Sequence, residues 1–130
     1  PASFGPSRES VEHLRRFFET AEREGRVFVW EPRGSWPAPL VRELCEELDL
    51  THSVDPLTGP TLGGRVAYFR LHGRGGYRYR YTDEDLAALR ARCEDELASA
   101  RRPVYVMFNN VEMLNDARRF IALLAREGTL

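Results

Sequence analysis

Four times along this chain an apolar stretch gives way to residues able to do chemistry. The first ends Glu31-Pro32-Arg33, the second Ser53-Val54-Asp55, the third Arg70-Leu71-His72-Gly73-Arg74 and the fourth Asn109-Asn110. Glu31, Asp55 and His72 are side chains of the kinds that carry protons. Arg33, Arg70 and Arg74 offer guanidinium groups, which grip carboxylate or phosphate through two parallel donors. Asn109 and Asn110 add amides that can position a ligand. Glu31, Asp55 and His72 are also types that ligate metals, but no HxH, HExxH or CxxC spacing accompanies them, so the sequence names no metal or cofactor. Sugar hydrolysis needs two carboxyls flanking one bond, and sequence does not set the separation of Glu31 and Asp55. No Ser-His-Asp or Cys-His nucleophile is legible; Ser53 lacks the strand-to-helix elbow that exposes a nucleophilic serine.

A second concentration of chemistry lies between Asp55 and Asp83. That stretch has no acidic residue and five arginines, Arg65, Arg70, Arg74, Arg78 and Arg80. Gly75-Gly76-Tyr77-Arg78-Tyr79-Arg80-Tyr81 interleaves three tyrosines with arginines, a pattern that can stack bases and hold phosphates. A solvated loop whose tyrosines pack on the fold is the competing reading. The glycines match neither the dinucleotide nor the mononucleotide loop fingerprint.

These residues need elements to hold them. Val11, Leu14, Phe17, Phe18 and Ala21 recur at helical spacing after Pro6-Ser7, with Gly25 beyond. Residues 26–31 are β-branched and aromatic and predict a strand. Ser35-Trp36-Pro37 opens a second helix whose stripe is Leu40, Val41, Leu44, Cys45 and Leu48. Residues 50–55 predict a short strand, 56–64 a Pro- and Gly-rich loop, and 66–72 a third strand. Thr82 followed by three acids is a capped helix start. That helix is expected to run to about Ala100 on Leu86, Leu89, Cys93 and Leu97. Residues 103–108 form a continuous apolar run, as in a strand covered on both faces. A last helix follows on Leu114, Ala117, Phe120, Ile121 and Leu124, with Gly128 as its stop. Helices alternating with apolar strands predict a parallel α/β sheet of four strands in one domain over 1–130. The side-chain period of two puts Glu31 with Arg33, Ser53 with Asp55, and Tyr68 with Arg70 and His72. By the same parity His52 packs under a helix. In such folds the ligand site lies at the carboxyl ends of the strands. The same polar residues can also cap helices or pair with one another. Arg70, inside an apolar strand, calls for a partner such as Glu31 or Asp55.

Composition bounds the rest. The chain has 130 residues, 42% of them hydrophobic, and a net charge of −1. It can build a core, and it lacks the bulk positive charge of a protein that coats nucleic acid. Apolar runs such as Val104 to Phe108 are far too short to span a membrane, so no membrane partner is expected. All 19 basic residues are arginine, which reads as a bias of the whole sequence rather than a mark of one site. Cys45 and Cys93 fall on apolar helix stripes and are expected as buried free thiols. With no secretory pattern in view, this suits a reducing, cytoplasmic setting.

Four runs in order, Trp30-Glu31-Pro32-Arg33-Gly34-Ser35-Trp36, Tyr68-Phe69-Arg70-Leu71-His72-Gly73-Arg74, Tyr81-Thr82-Asp83-Glu84-Asp85-Leu86 and Val104-Tyr105-Val106-Met107-Phe108-Asn109-Asn110, give the chain a family likeness. The sequence resembles the domain of unknown function 72 family, the YecE-like proteins. Pro1-Ala2-Ser3-Phe4 is similar to that family's Pro-Pro-Ser-Phe segment with one departure, and Asn115-Asp116-Ala117 interrupts its usual Asn-Ala. The resemblance implies a TIM (β/α)8 barrel, of which four strands with flanking helices form the C-terminal half, strands five to eight. A full barrel needs about 250 residues. The missing neighbour would be an N-terminal half-barrel chain, or a second copy closing the ring by self-association, or the sequence is a fragment. The family's activity is not established, so the resemblance supplies a site and no reaction.

Two functional readings follow. In the first, the strand ends bind an anionic ligand, a phosphate ester or nucleic acid, for hydrolytic chemistry. Glu31, Asp55 and His72 move protons, Arg33, Arg70 and Arg74 hold the anion, and Asn109 and Asn110 position it. In the second, the protein is a non-catalytic module whose Arg/Tyr loop 74–81 contacts nucleic acid or protein. A fragment without independent function is the third possibility.

Overall fold

Local chemistry starts each element in turn. In α1 (Arg8–Thr20) the Ser7 hydroxyl accepts a hydrogen bond from the Ser10 amide, satisfying one of the helix's orphan donors. A turn closed by Arg26 N–H on Arg23 O (2.7 Å) leads to β1 (Phe28–Trp30). That turn puts Glu24 and Gly25 at positive φ, and it keeps the predicted strand from beginning at Arg26. Pro37 precedes α2 (Ala38–Glu47), which leads to β2 (Leu50–Val54). Asp55 falls outside β2 because its carbonyl accepts from the Thr58 and Gly59 amides, closing a turn. β3 (Ala67–Leu71) precedes the loop to α3 (Asp83–Asp95). There Thr82 and Asp85 form a reciprocal capping box. β4 (Val104–Phe108) and α4 (Met113–Arg126) complete the chain.

The computed structural model describes residues 1–126 and Gly128. Its four parallel strands form one sheet in the order β1-β2-β3-β4, with helices flanking them: an α/β fold. In β1 and β2 the register pairs Phe28 with Leu50, Val29 with Thr51 and Trp30 with His52. Contacts gather into two compact units, Pro1–Ser53 with Thr61–Ala67, and Val54–Pro60 with Tyr68 onward.

In the first unit Val11, Leu14, Val41, Leu44, Cys45, Leu48 and Leu50 form the core, with Phe18, Phe28, Trp30 and Trp36 packed against it. Phe17, expected on the same stripe, is exposed instead. His52 is buried, as are Thr51 and Ser53 on either side of it, and its Nδ1 accepts from the loop amide of Leu62 at 3.3 Å. Burial holds its pKa below the ordinary 6.5. The folded chain therefore favours the neutral ring. The associated stability is complete above pH 6.5 and is lost as pH falls from there through the lower folded value. His52→Leu is expected to flatten the stability–pH curve just below pH 6.5. Urea titrations at stepped pH would show it, and an unchanged slope would refute it.

In the second unit Phe69, Leu71, Tyr81, Leu86, Leu89, Cys93 and Phe120 are buried. Tyr81, Phe108 and Phe120 meet edge to face. Three expectations fail here. The helix that starts as α3 does run to Ala100, but its last residues, Glu96–Ala100, form a π-helical turn. That wider turn carries Leu97 off the stripe into solvent and buries Glu96 against Arg102 (2.6 Å). β4 is covered on one face only, with Tyr105 and Met107 exposed. On α4 the buried residues are Asp116 and Phe120, while Leu114 and Ile121 face outward. Both thiols are buried and free, and burial pushes Cys45 up to about 11 and Cys93 to about 12. Among the described residues no helix is long and apolar enough to cross a membrane.

Candidate functional site

Alternation along β3 and β4 puts Tyr68, Arg70 and His72 on one face, with Tyr105, Met107 and Asn109 on the matching face. Two contacts confirm the match. The Tyr68 and Tyr105 rings stack with centroids 6.4 Å apart, and Asn109 Nδ2 lies 3.1 Å from His72 Nδ1. The Asn109 amide also donates from its backbone to Leu71 O at 2.8 Å, which fixes the strand end. The roles in this contact follow the imidazole tautomer: when the side-chain amide donates, Nδ1 accepts. Arg70, between the two, is half-buried. A guanidinium, an oriented imidazole and an amide thus share the carboxyl end of two strands.

Asp55 is half-buried at the end of β2. Its Oδ1 accepts from the Leu57 amide (3.0 Å), so one carboxylate oxygen is spent on the turn. Burial raises the Tyr81 phenol to about 12, and the charge of Asp55 adds to the rise. Glu31 is half-buried beyond β1, and Arg33 reaches its Oε1 at 3.5 Å, a long ion pair with Arg33 exposed.

Two predicted site residues are turned to other work. Arg74 pairs with Asp85 at 3.1 Å. Asn110 is buried, and its Nδ2 donates to Tyr79 O and to Asp116 Oδ2, both at 2.7 Å. The reason is the strand period itself: Asn109 and Asn110 are consecutive, so one faces the site and the other the core. Among the described residues no group of three or more His, Cys, Asp and Glu side chains comes together to hold a metal ion. The metal reading of Glu31, Asp55 and His72 therefore has no geometric support.

The network that builds the loop beside the site went unread in the sequence. Tyr79 Oη donates to Asp85 Oδ2 (2.6 Å), and the Thr82 amide donates to the same oxygen (3.0 Å). Burial alone would raise the Asp85 pKa, but these hydrogen bonds and the Arg74 charge outweigh it and hold the carboxyl below its ordinary range. Tyr81 Oη accepts from the Gly73 amide (2.7 Å), closing the loop on itself. Asp116, fully buried, accepts from Tyr81 N–H and from Asn110 on Oδ2, and from Arg119 on Oδ1. One signal was available: Asp116 lies four residues before Phe120 and three before Arg119, on the face that α4 buries.

No curated protein matches the chain. Among solved structures, a DUF72 family protein from Thermotoga maritima MSB8 shares 27% identity and a TM-score of 0.71. The alignment covers 96% of this chain and 55% of that one, so the chain spans little more than half the length of its structural relative. The family model described as protein of unknown function DUF72 matches residues 1–130. On that match along its whole length, the chain belongs to the DUF72 family.

Proposed function

We propose that this chain supplies strands five to eight of a (β/α)8 barrel, and that their carboxyl ends bind and hydrolyse a phosphate ester or the phosphodiester of a nucleic acid. The observation that carries this reading is the His72–Asn109 pair on the same face as Arg70. In parallel α/β folds that edge is where ligands sit. Arg70 would neutralise the phosphoryl oxygens. Asp55, through its second oxygen, would take a proton from the attacking water. The P–O bond to the leaving group would break as His72 gives that oxygen a proton. A protonated His72 needs an acceptor at Nδ1, which the Asn109 amide provides by turning its oxygen inward. Arg74 and Asn110 would act on the site through the loop they tie. The remaining strands would come from an N-terminal half-barrel, and the two buried thiols suit a cytoplasmic setting.

The test is an NMR titration of His72 and Asn109 side-chain resonances with phenyl phosphate and bis(p-nitrophenyl) phosphate. Both resonances should shift. Arg70→Ala should weaken binding about ten- to a hundredfold, the value of one charge-assisted hydrogen bond. Release of p-nitrophenolate should vanish in His72→Ala and Asp55→Ala. If neither resonance moves with either ester at saturating concentration, the strand ends are not an anion site.

A further inference from the structure

We propose that residues 73–81 are a pre-formed arm that grips the backbone of a single-stranded nucleic acid beside the strand-end site. The arm stands on its own observations; it rests on the proposed phosphate chemistry only for what happens to the strand once held.

The acid-free stretch carries five arginines, and the structure sorts them. Arg65 makes a two-pronged pair with Asp49 (2.6 and 2.9 Å), and Arg74 is spent on Asp85. Arg70 lies on the site face of β3. Arg78 and Arg80 are exposed and make no ion pair among the described residues. They are the arginines left for a ligand.

Their presentation is built in. The Gly76 amide donates to Gly73 O, the Tyr79 amide to Gly76 O, and the Val111 amide to Tyr77 O (2.6 Å). Gly73, at φ +87°, has no room for a side chain: a Cβ there would sit 2.4 Å from Gly76 O. Tyr79 and Tyr81 turn inward, edge to face at 5.3 Å, and anchor the arm through Asp85 and Gly73. The interleaved tyrosines are thus mostly anchors, and the alternation throws Arg78 and Arg80 outward. Tyr77 alone stays open, 59% exposed, with the Arg78 guanidinium 5.8 Å from its ring centroid. The Val111–Tyr77 bond roots the arm immediately after Asn109 and Asn110, so a strand held there passes the His72–Asn109 pair.

The ligand class follows from the combination. Two exposed guanidiniums on a hydrogen-bonded loop suit successive phosphates, and an exposed ring joined to one of them suits an unpaired base. An acidic peptide would use the arginines and leave the ring idle, and a duplex hides its base faces. Ordering the arm in advance spares the entropy that a flexible basic loop pays on binding.

The test is fluorescence anisotropy with a labelled twenty-nucleotide oligo-dT, against a duplex of equal length and a poly-aspartate peptide. Oligo-dT should bind best, and its affinity should fall as salt rises. Arg78→Ala with Arg80→Ala should weaken binding at least tenfold and reduce the log–log salt slope by about 1.4, two contacts on a single strand. Tyr77→Ala should weaken oligo-dT about fivefold or more and leave poly-aspartate unchanged. Equal binding by the double variant, or tighter binding of poly-aspartate, would overturn the arm. The phenyl phosphate titration reads the strand ends separately. Oligo-dT binding without an ester response would remove the hydrolytic reading and keep the arm, and the converse result would do the reverse.

Discussion

Asp116→Ala is expected to lower the unfolding free energy by about 3 kcal/mol, the low end of the cost of breaking a buried charged pair. Asp116 is 0% exposed and serves three donors: the Tyr81 amide (3.2 Å), Asn110 Nδ2 (2.7 Å) and Arg119 Nη1 (2.9 Å). Truncation removes an acceptor from all three at once. Arg119 keeps Asp83 as a partner, and its side chain is 28% exposed, so water recovers part of its loss. Asn110 Nδ2 keeps its bond to Tyr79 O and loses only the second one, whereas the Tyr81 amide loses its acceptor, and an unsatisfied buried donor costs about 1–3 kcal/mol. Asp116→Asn keeps one acceptor oxygen and should cost less. Urea unfolding of the two variants measures this, and a loss below about 1 kcal/mol for Ala would mean the network does not hold the unit together. The loop should loosen in step, because Tyr81 and Asn110 anchor its end and its root. Oligo-dT binding by Asp116→Ala should therefore fall even where the chain stays folded.

What the residues disclosed follows the range of the interaction concerned. The start of α3 was legible because Thr82 and Asp85 act on backbone within one turn, and the core of α2 was legible because Val41, Leu44, Cys45 and Leu48 repeat at 3.6. Strand parity foresaw the shared face of Tyr68, Arg70 and His72, but it does not account for the burial of His52, since Thr51 and Ser53 are buried as well. The same parity separates Asn109 from Asn110, a distinction missed by treating the two amides as one feature. Arg74 could not be assigned in this way. Its choice of Asp85 depends on a folded loop, and eleven residues of sequence separation carry no periodic signal. The one-sided cover of β4 was hidden too, since an apolar run records which residues tolerate burial and not whether anything lies over them. Leu97 moved for a local reason, a π turn, that helix propensity does not resolve.

Uncovered apolar surface has a measurable consequence. At the β4 end of the strand order Leu114 and Ile121 on α4 are 60% and 57% exposed, and Tyr105 and Met107 on β4 are exposed too. At the β1 end a groove is lined by Phe17, Phe18, Val27, Phe28 and Val29. Edge strands with apolar neighbours seek another chain, and this chain covers only 55% of its structural relative. An N-terminal half-barrel is the occupant proposed for both faces; without it, a second copy should take its place. Each large apolar side chain gains roughly 1.5–3 kcal/mol on full burial. The four at the β4 end are already about half-buried, so completing their burial would bring roughly 3–6 kcal/mol, set against an association cost of about 4–15 kcal/mol. Two such faces tip the balance where one would not. Light scattering of the chain alone at about 100 μM should then report at least twice the 15.0 kDa of a single chain. Leu114→Glu with Ile121→Glu should return it to the single-chain mass, because a carboxylate buried without a partner costs more than the contact gains. A wild-type chain that stays monomeric at that concentration would show these faces stable in water, and no partner would then be needed to close the fold.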